Sequence, residues 1–314
     1  MAFHLKALST LTDNRVRRGY LLVLTATICW ATSGTFIKII RHDYGLSAWT
    51  LAFYRDLFTF VIFLTIAVVL GVDRLRVARR DLIPLAAMGA ISIGIFHVLW
   101  AMAVTMLPVA VATVLNYTSP VFVVLFAWAL WHEKPDRRQT VAVIAAFVGC
   151  VLVTGAYDIA DMNLNWLGLL VGLSTGLTYG MLTIFGKNAL RHYESWTVLT
   201  YAFGFATVTL LVLQPGAPLE MFSKPLSAWL WMIVLVVVST VTGFGLYTSG
   251  LKHLSASSAS IAATMEPVIA AGFAFALLGE VIEPVQMVGG VLVIISVLIL
   301  AVKKDAPTNL VSTP

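Results

Sequence analysis

The stretch LPVAVATVLNYTSPVFVVLFAWALWHEKPDRRQ at residues 107–139 returns, altered but in register, as LSASSASIAATMEPVIAAGFAFALLGEVIEPVQ at residues 254–286. A shift of 147 positions superposes Leu107, Ala112, Pro120, Val121, Phe126, Ala127, Ala129, Leu130, Glu133 and Gln139 on Leu254, Ala259, Pro267, Val268, Phe273, Ala274, Ala276, Leu277, Glu280 and Gln286. Apolar text repeats by composition alone, but proline, glutamate and glutamine at matched places do not, so the chain is an internal duplication. A shift of 149 extends it upstream, relating Gly19 to Gly168, Trp30 to Tyr179 and Lys38 to Lys187.

Composition says where such a chain resides. Of its 314 residues 60% are apolar and 11% charged, against about 25% charged in an ordinary soluble domain. A water-soluble fold is excluded. At roughly 20 apolar residues per span, the pattern predicts an all-α membrane protein with ten transmembrane helices, at 19–40, 47–72, 82–106, 108–131, 138–157, 167–186, 196–213, 228–250, 256–279 and 285–302. Only Leu107 and Pro108 separate the third span from the fourth, and proline suits the first turn of a new helix. The expected organisation is a cytoplasmic segment 1–18, a first five-helix repeat 19–157, an external linker 158–166, a second repeat 167–302 and a cytoplasmic tail 303–314. Five is odd, so the second copy crosses the membrane in the opposite sense, the inverted-repeat construction of many secondary transporters.

The net charge of +5 does not point to nucleic acid, because the basic residues form short clusters between apolar runs and no continuous basic face. They set topology instead. With both termini cytoplasmic, sixteen cations fall inside, among them Arg15, Arg17, Arg18, Arg74, Arg76, Arg79, Arg80, Arg137 and Arg138, and three outside, Lys38, Arg41 and Lys224. That asymmetry satisfies the positive-inside rule and leaves Arg55 within the second span. Residues 1–18 lack a signal-type apolar stretch, so nothing is expected to be cleaved. Cys29 and Cys150 lie inside apolar runs with no CxxC partner, which indicates neither a disulfide scaffold nor a metal site. No cofactor is expected.

The segment WATSGTFIK at residues 30–38, Arg55, and the doubled P-x(12)-E pattern of Pro120 with Glu133 and Pro267 with Glu280 resemble the drug/metabolite transporter superfamily in its ten-helix EamA-type branch. The resemblance covers roughly residues 22–302. It implies two inverted five-helix repeats around a central substrate cavity, a bacterial inner membrane, and metabolite export. Within that branch the chain is most similar to bacterial exporters of aromatic amino acids.

Pro120 and Pro267 fall near mid-membrane in the fourth and ninth spans, and each removes a hydrogen bond to a carbonyl four residues earlier, at Asn116 and Ala263. Irregular backbone at that depth is tolerated where it is buried in protein or lines a watery cavity; an ordinary packed kink is the plain alternative. Ala110, Thr113, Tyr117 and Pro120 share one helical face, as do their mates Ser257, Ser260, Thr264 and Pro267. These small, partly polar faces are expected to meet substrate. Glu266 is the deepest carboxylate, and an intramembrane charge is a functional candidate by default. It could hold a substrate amino group, take up a proton, or stay protonated in a structural hydrogen bond. Its mate is Ser119, so the halves differ here.

His97 and Trp100 share a face of the third span. The histidine reads as a hydrogen-bonded core group, with a proton relay as the functional alternative, and Asp56 is no obvious partner for Arg55. Trp30, Trp100, Tyr117, Tyr179 and Tyr247 could present planar surfaces to an aromatic substrate, although aromatics are also ordinary packing residues. Arg55 lies roughly 12 Å into its helix at 1.5 Å per residue; it either snorkels outward or recognises a carboxylate. Lys38 and Lys187 read as interface anchors. Glu133 and Glu280 read as caps for the following helices, assisted by Gln139 and Gln286. Gly168, Gly172, Gly176 and Gly180 form a ladder that admits a close helix neighbour.

The expected substrate-binding set is therefore Trp30, Arg55, His97, Trp100, Asn116, Tyr117, Tyr179, Tyr247, Ser260, Thr264 and Glu266, with Pro120 and Pro267 as kinks. No Walker A motif and no HExxH is present, so neither an ATP-driven engine nor a metal-dependent intramembrane hydrolase is indicated. The expectation is a monomeric secondary transporter of small amphipathic metabolites, aromatic or neutral amino acids foremost, with multidrug or other metabolite export on the same fold as the alternative. Its partners are that small-molecule substrate and the lipid bilayer.

Overall fold

The computed structural model describes residues 2–132, 134–157, 166–278 and 281–301. It is all-helical, with no strand among them. Ten long helices are α1 (Ala2–Ala31 and, past Thr32, Ser33–Tyr44), α2 (Ala48–Leu70), α3 (Arg79–Met106), α4 (Val109–Asn116 and Ser119–Trp131), α5 (Arg137–Val153), α6 (Trp166–Ala189), α7 (Ser195–Leu213), α8 (Leu226–Leu251), α9 (Ala256–Ala263 and Glu266–Leu278) and α10 (Pro284–Ala301), with short helical turns Val72–Leu75 and Ala217–Met221 in the connections. Eight are each long and apolar enough to cross a membrane on their own. The other two are α5, at 17 residues, and α9, interrupted at its centre.

Local chemistry sets the helix ends. Ser47 caps α2 by accepting from the Thr50 N–H at 3.2 Å, and Ser255 caps α9 by accepting from the Ser258 N–H at 3.1 Å, each supplying an acceptor to an orphan donor of the first turn. At α5 the cap is Asp136, which forms a reciprocal capping box with Gln139. Sequence assigned that role to Glu133; both Glu133 and Glu280 lie outside the described residues. In the second repeat Gln286 Oε1 accepts from the Glu283 N–H at 2.8 Å. Gly45 closes α1 in the left-handed conformation, φ 62°, which glycine adopts without a Cβ clash.

The repeat shows in the packing. α2 runs along α7 and α5 along α10, each a pair of mates, while α1 against α8 mirrors α6 against α3. α5 and α10 cross where a Cβ on Gly149 would stand 2.8 Å from the Gly289 carbonyl oxygen. The glycine ladder of α6 receives α4 as its spacing suggests: a Cβ at Gly176 would stand 2.6 Å from the Leu115 carbonyl oxygen. Large apolar side chains such as Ile83, Trp128, Val212 and Val288 face outward, a surface stable only against lipid.

Two irregularities recur at the repeat interval. α4 breaks at Tyr117–Thr118 and α9 at Thr264–Met265, in each case just before the proline. The Thr118 hydroxyl takes up the Leu115 carbonyl and the Thr264 hydroxyl the Ile261 carbonyl, at 2.7 and 2.6 Å. In addition α3 and α8 each contain a π-helical segment, Ala90–Ile95 and Leu235–Thr242. Such wide turns are frequent at functional sites.

Candidate functional site

The breaks in α4 and α9, with the turns of α3 and α8 that follow their π segments, border a cavity of about 160 Å³. Helix α1 contributes Trp30, Ser33 and Gly34, and α2 contributes Arg55. Phe96 and Trp100 come from α3, Thr113, Asn116 and Tyr117 from α4, and Tyr179 from α6. Phe244 of α8 and Glu266, Pro267 and Ala270 of α9 complete the wall. Most of these positions lie toward the end of the bundle that carries the α1–α2 and α3–α4 turns.

Arg55 does not snorkel. It is 5% exposed, and its Nε donates to Thr240 Oγ1 at 2.9 Å, so the π segment of α8 holds the guanidinium stem at the cavity wall. Opposite, Glu266 Oε2 accepts from the Tyr117 hydroxyl at 2.5 Å. Arg55 and Glu266 share the cavity without forming an ion pair with each other among the described residues. The rest of the wall is aromatic. Trp30 meets Tyr179 edge-on at 6.0 Å and Phe244 at 5.4 Å, and Tyr179 stacks on Phe96 at 5.5 Å. Trp30 Nε1, Asn116 Oδ1 and the Tyr179 hydroxyl are buried and without a hydrogen-bond partner among the described residues. Buried polar atoms are nearly always paired, so this wall offers hydrogen bonds to whatever enters.

Of the residues singled out from sequence, Trp30, Arg55, Trp100, Asn116, Tyr117, Tyr179, Glu266 and Pro267 meet at this cavity. His97, Tyr247, Ser260, Thr264 and Pro120 do not line it. Tyr247 is packed behind Trp30, 5.1 Å away, with its hydroxyl 2.7 Å from Thr183 Oγ1. Ser257, Ser260 and Thr264 are 4%, 2% and 0% exposed, because the first half of α9 is enclosed by α1, α4 and α6. The equivalent half of α4 borders the open space. The two faces are alike in sequence and opposite in state.

His97 is not solitary. Its Nδ1 lies 2.7 Å from Asp56 Oδ1, and both side chains are buried. Lys187 is no plain interface anchor either; its ammonium donates to the Leu251 carbonyl at 2.9 Å and to the Leu254 carbonyl, capping the end of α8. Sequence reasoning missed Phe96, Phe244, Thr240 and Asp56. Only Asp56 carried a usable signal, a carboxylate beside a cation in an otherwise apolar span.

The EamA-like transporter family model matches residues 17–155 and again 166–302. An uncharacterized transporter of Archaeoglobus fulgidus is 25% identical, covering 90% of this chain and 96% of its own. A probable terminal-alkyne amino-acid exporter of Streptantibioticus cattleyicolor is 28% identical, covering 93% and 96%. The uncharacterized inner membrane transporter YicL of Salmonella typhimurium is 23% identical, covering 91% and 95%. A solved crystal structure superposes with a TM-score of 0.72 at 15% identity, over 90% of this chain and 96% of the other.

Proposed function

We propose, from the premise that this chain belongs to the EamA-like transporter family, that it exports aromatic or other neutral amino acids by alternating access. That it is a multi-pass membrane transporter and not an enzyme follows from the family. One observation carries the substrate class: a guanidinium, Arg55, and a carboxylate, Glu266, face the same aromatic-walled cavity. A guanidinium matches a carboxylate with two parallel hydrogen bonds, and a carboxylate takes an ammonium. A zwitterion would satisfy both and add no net charge to a site where isolated charge is costly. Trp30, Trp100, Tyr179 and Phe96 would hold the side chain by edge-to-face and stacked contacts. The amino-acid exporter among the relatives supports the same class.

Alternating access is supported by the contrast between the open α4 face and the enclosed α9 face, since inverted repeats that exchange conformations would open the other side. The basic residues favour an orientation with both termini cytoplasmic, and the inner membrane named for YicL favours that location. Without a Walker A motif, flux would follow ion and substrate gradients.

Counterflow in proteoliposomes tests the reading with labelled tryptophan, phenylalanine, threonine and methyl viologen. Saturable tryptophan flux competed by phenylalanine is expected, with Arg55→Gln and Glu266→Gln each lowering it at least about tenfold, as for loss of one charge-assisted contact. Folded protein that moves methyl viologen but no amino acid would transfer the assignment to drug export.

A further inference from the structure

Behind the cavity wall lies a second cluster of ionisable side chains that substrate binding does not use. His97 Nδ1 and Asp56 Oδ1 are 2.7 Å apart, with side chains 1% and 0% exposed. Their other polar atoms, His97 Nε2 and Asp56 Oδ2, are buried with no hydrogen-bond partner among the described residues. The imidazole rests 5.5 Å from the Phe96 ring and 6.1 Å from the Phe244 ring, and both of those rings line the cavity. The pair is thus one ring's thickness from the space assigned to substrate. It also adjoins Arg55, which precedes Asp56 in α2 and itself faces the cavity.

Charge counting gives the cluster a direction. The charged groups facing His97 are Arg55 and Asp56 from α2; α7 and α8 present the rings of Phe203 and Phe244. One guanidinium, one carboxylate and a neutral imidazole sum to no net charge. One added proton leaves this buried set with a single positive charge, which a carboxylate laid on Arg55 returns to neutrality, the condition that burial favours.

On the reading of the cavity as a zwitterion site, we infer that the Asp56–His97 pair is a proton-binding site linked to substrate binding. The proton comes from cavity water and adds to Nε2, Nδ1–H stays donated to Asp56, and no other bond changes. A substrate carboxylate laid on Arg55 cancels the positive charge nearest the imidazole, so substrate and proton reinforce each other. By reciprocity the proton strengthens substrate binding by the same factor. Each amino acid carried outward down its gradient then takes one proton with it.

Two measurements test this, one of them independent of substrate. Nitrogen NMR of histidine-labelled protein in nanodiscs, with the His97 signal assigned by its loss in His97→Gln, should show the ring gaining and losing a proton reversibly between about pH 5 and pH 8. Asp56→Asn should shift that transition to lower pH. A ring that keeps one protonation state across the range overturns the inference, whatever the protein transports. Tryptophan binding should weaken up to about tenfold per pH unit above the transition, as for one linked proton, and His97→Gln should flatten the dependence while leaving binding measurable. A wild-type Kd independent of pH, or an unchanged slope in His97→Gln, also overturns it. Absence of amino-acid binding at every pH with a titrating His97 would sink the substrate assignment and leave the proton site standing.

Discussion

The Tyr117 hydroxyl and the Glu266 carboxylate meet at 2.5 Å across the junction of the two repeats. Tyr117 sits at the break in α4 and Glu266 starts the second half of α9, so one hydrogen bond ties together the two places where the backbone ladder is interrupted. The tie is not duplicated by symmetry. The repeat mate of Tyr117 is Thr264, whose hydroxyl turns back to its own helix, and the mate of Glu266 is Ser119, whose hydroxyl has no partner among the described residues.

Tyr117→Phe removes the donor and keeps the ring. Leaving a buried acceptor unsatisfied costs about 1–3 kcal/mol, so the variant should unfold at lower temperature in detergent and transport more slowly. Tyr157→Phe, which removes a comparable bond to Glu283 at an exposed position, should change little. Equal unfolding temperatures for Tyr117→Phe and the native protein would show that the bond contributes nothing.

The doubled P-x(12)-E segment made the ten helices and their inverted pairing legible, since apolar period and matched prolines are local properties of the chain. The cavity's membership was partly legible for the same reason: Arg55 and Glu266 are conspicuous charges in apolar text. What sequence did not disclose depends on tertiary contact. Asp56 and His97 stand 41 positions apart on different helices, and no periodicity connects them. The π segments AISIGI and LVVVSTVT contain nothing that separates them from ordinary helix. Ser260 and Thr264 were read by analogy with α4, but two inverted halves cannot both face the open end at once.

The crossing of α5 and α10 leaves no room for a side chain at Gly149 or Gly289. A Cβ at Gly289 would stand 2.5 Å from the Val153 nitrogen and 2.8 Å from the Gly149 carbonyl oxygen, both backbone atoms that cannot step aside. Gly289→Val should therefore abolish the monodisperse folded peak in size-exclusion chromatography of a fluorescent fusion. Gly272, also helical, has nothing within 4 Å of a Cβ, and Gly272→Ala should be neutral or stabilise by up to about 1 kcal/mol from helix propensity. A well-folded Gly289→Val protein would contradict the packing of the two repeats.

Glu220, in the α7–α8 connection, supplies a pH dependence outside the membrane helices. Burial works against its ionisation, but hydrogen bonds from Ser47 and Thr50 together with the Lys224 charge outweigh it and lower the pKa below the usual value. The Ser47 N–H donates at 2.8 Å and the Thr50 hydroxyl donates to the second oxygen, tying this connection to the start of α2. A lowered folded-state pKa contributes stability that is present above the unfolded value of about 4.3 and is lost as pH falls through the folded value. Glu220→Gln should accordingly unfold more readily than the native protein at pH 7, and the two should converge in acid. A difference that persists unchanged in acid would assign the effect to packing and not to charge.

Orientation can be read directly from the loops. With the termini cytoplasmic, the turn after α2, which holds Asp73 and Arg76 in an exposed ion pair at 2.9 Å, faces the cytoplasm, and the exposed Ser223 before α8 faces outward. In protein whose Cys29 and Cys150 are replaced by alanine, Ser223→Cys should react with a membrane-impermeant maleimide on intact cells, and Asp73→Cys only after permeabilisation. The reverse pattern would place the cavity's open end on the cytoplasmic side, because its wall lies toward the α1–α2 and α3–α4 turns. The conformation described would then be the one that loads substrate from within, and the enclosed face of α9 with Ser257, Ser260 and Thr264 would become the exit.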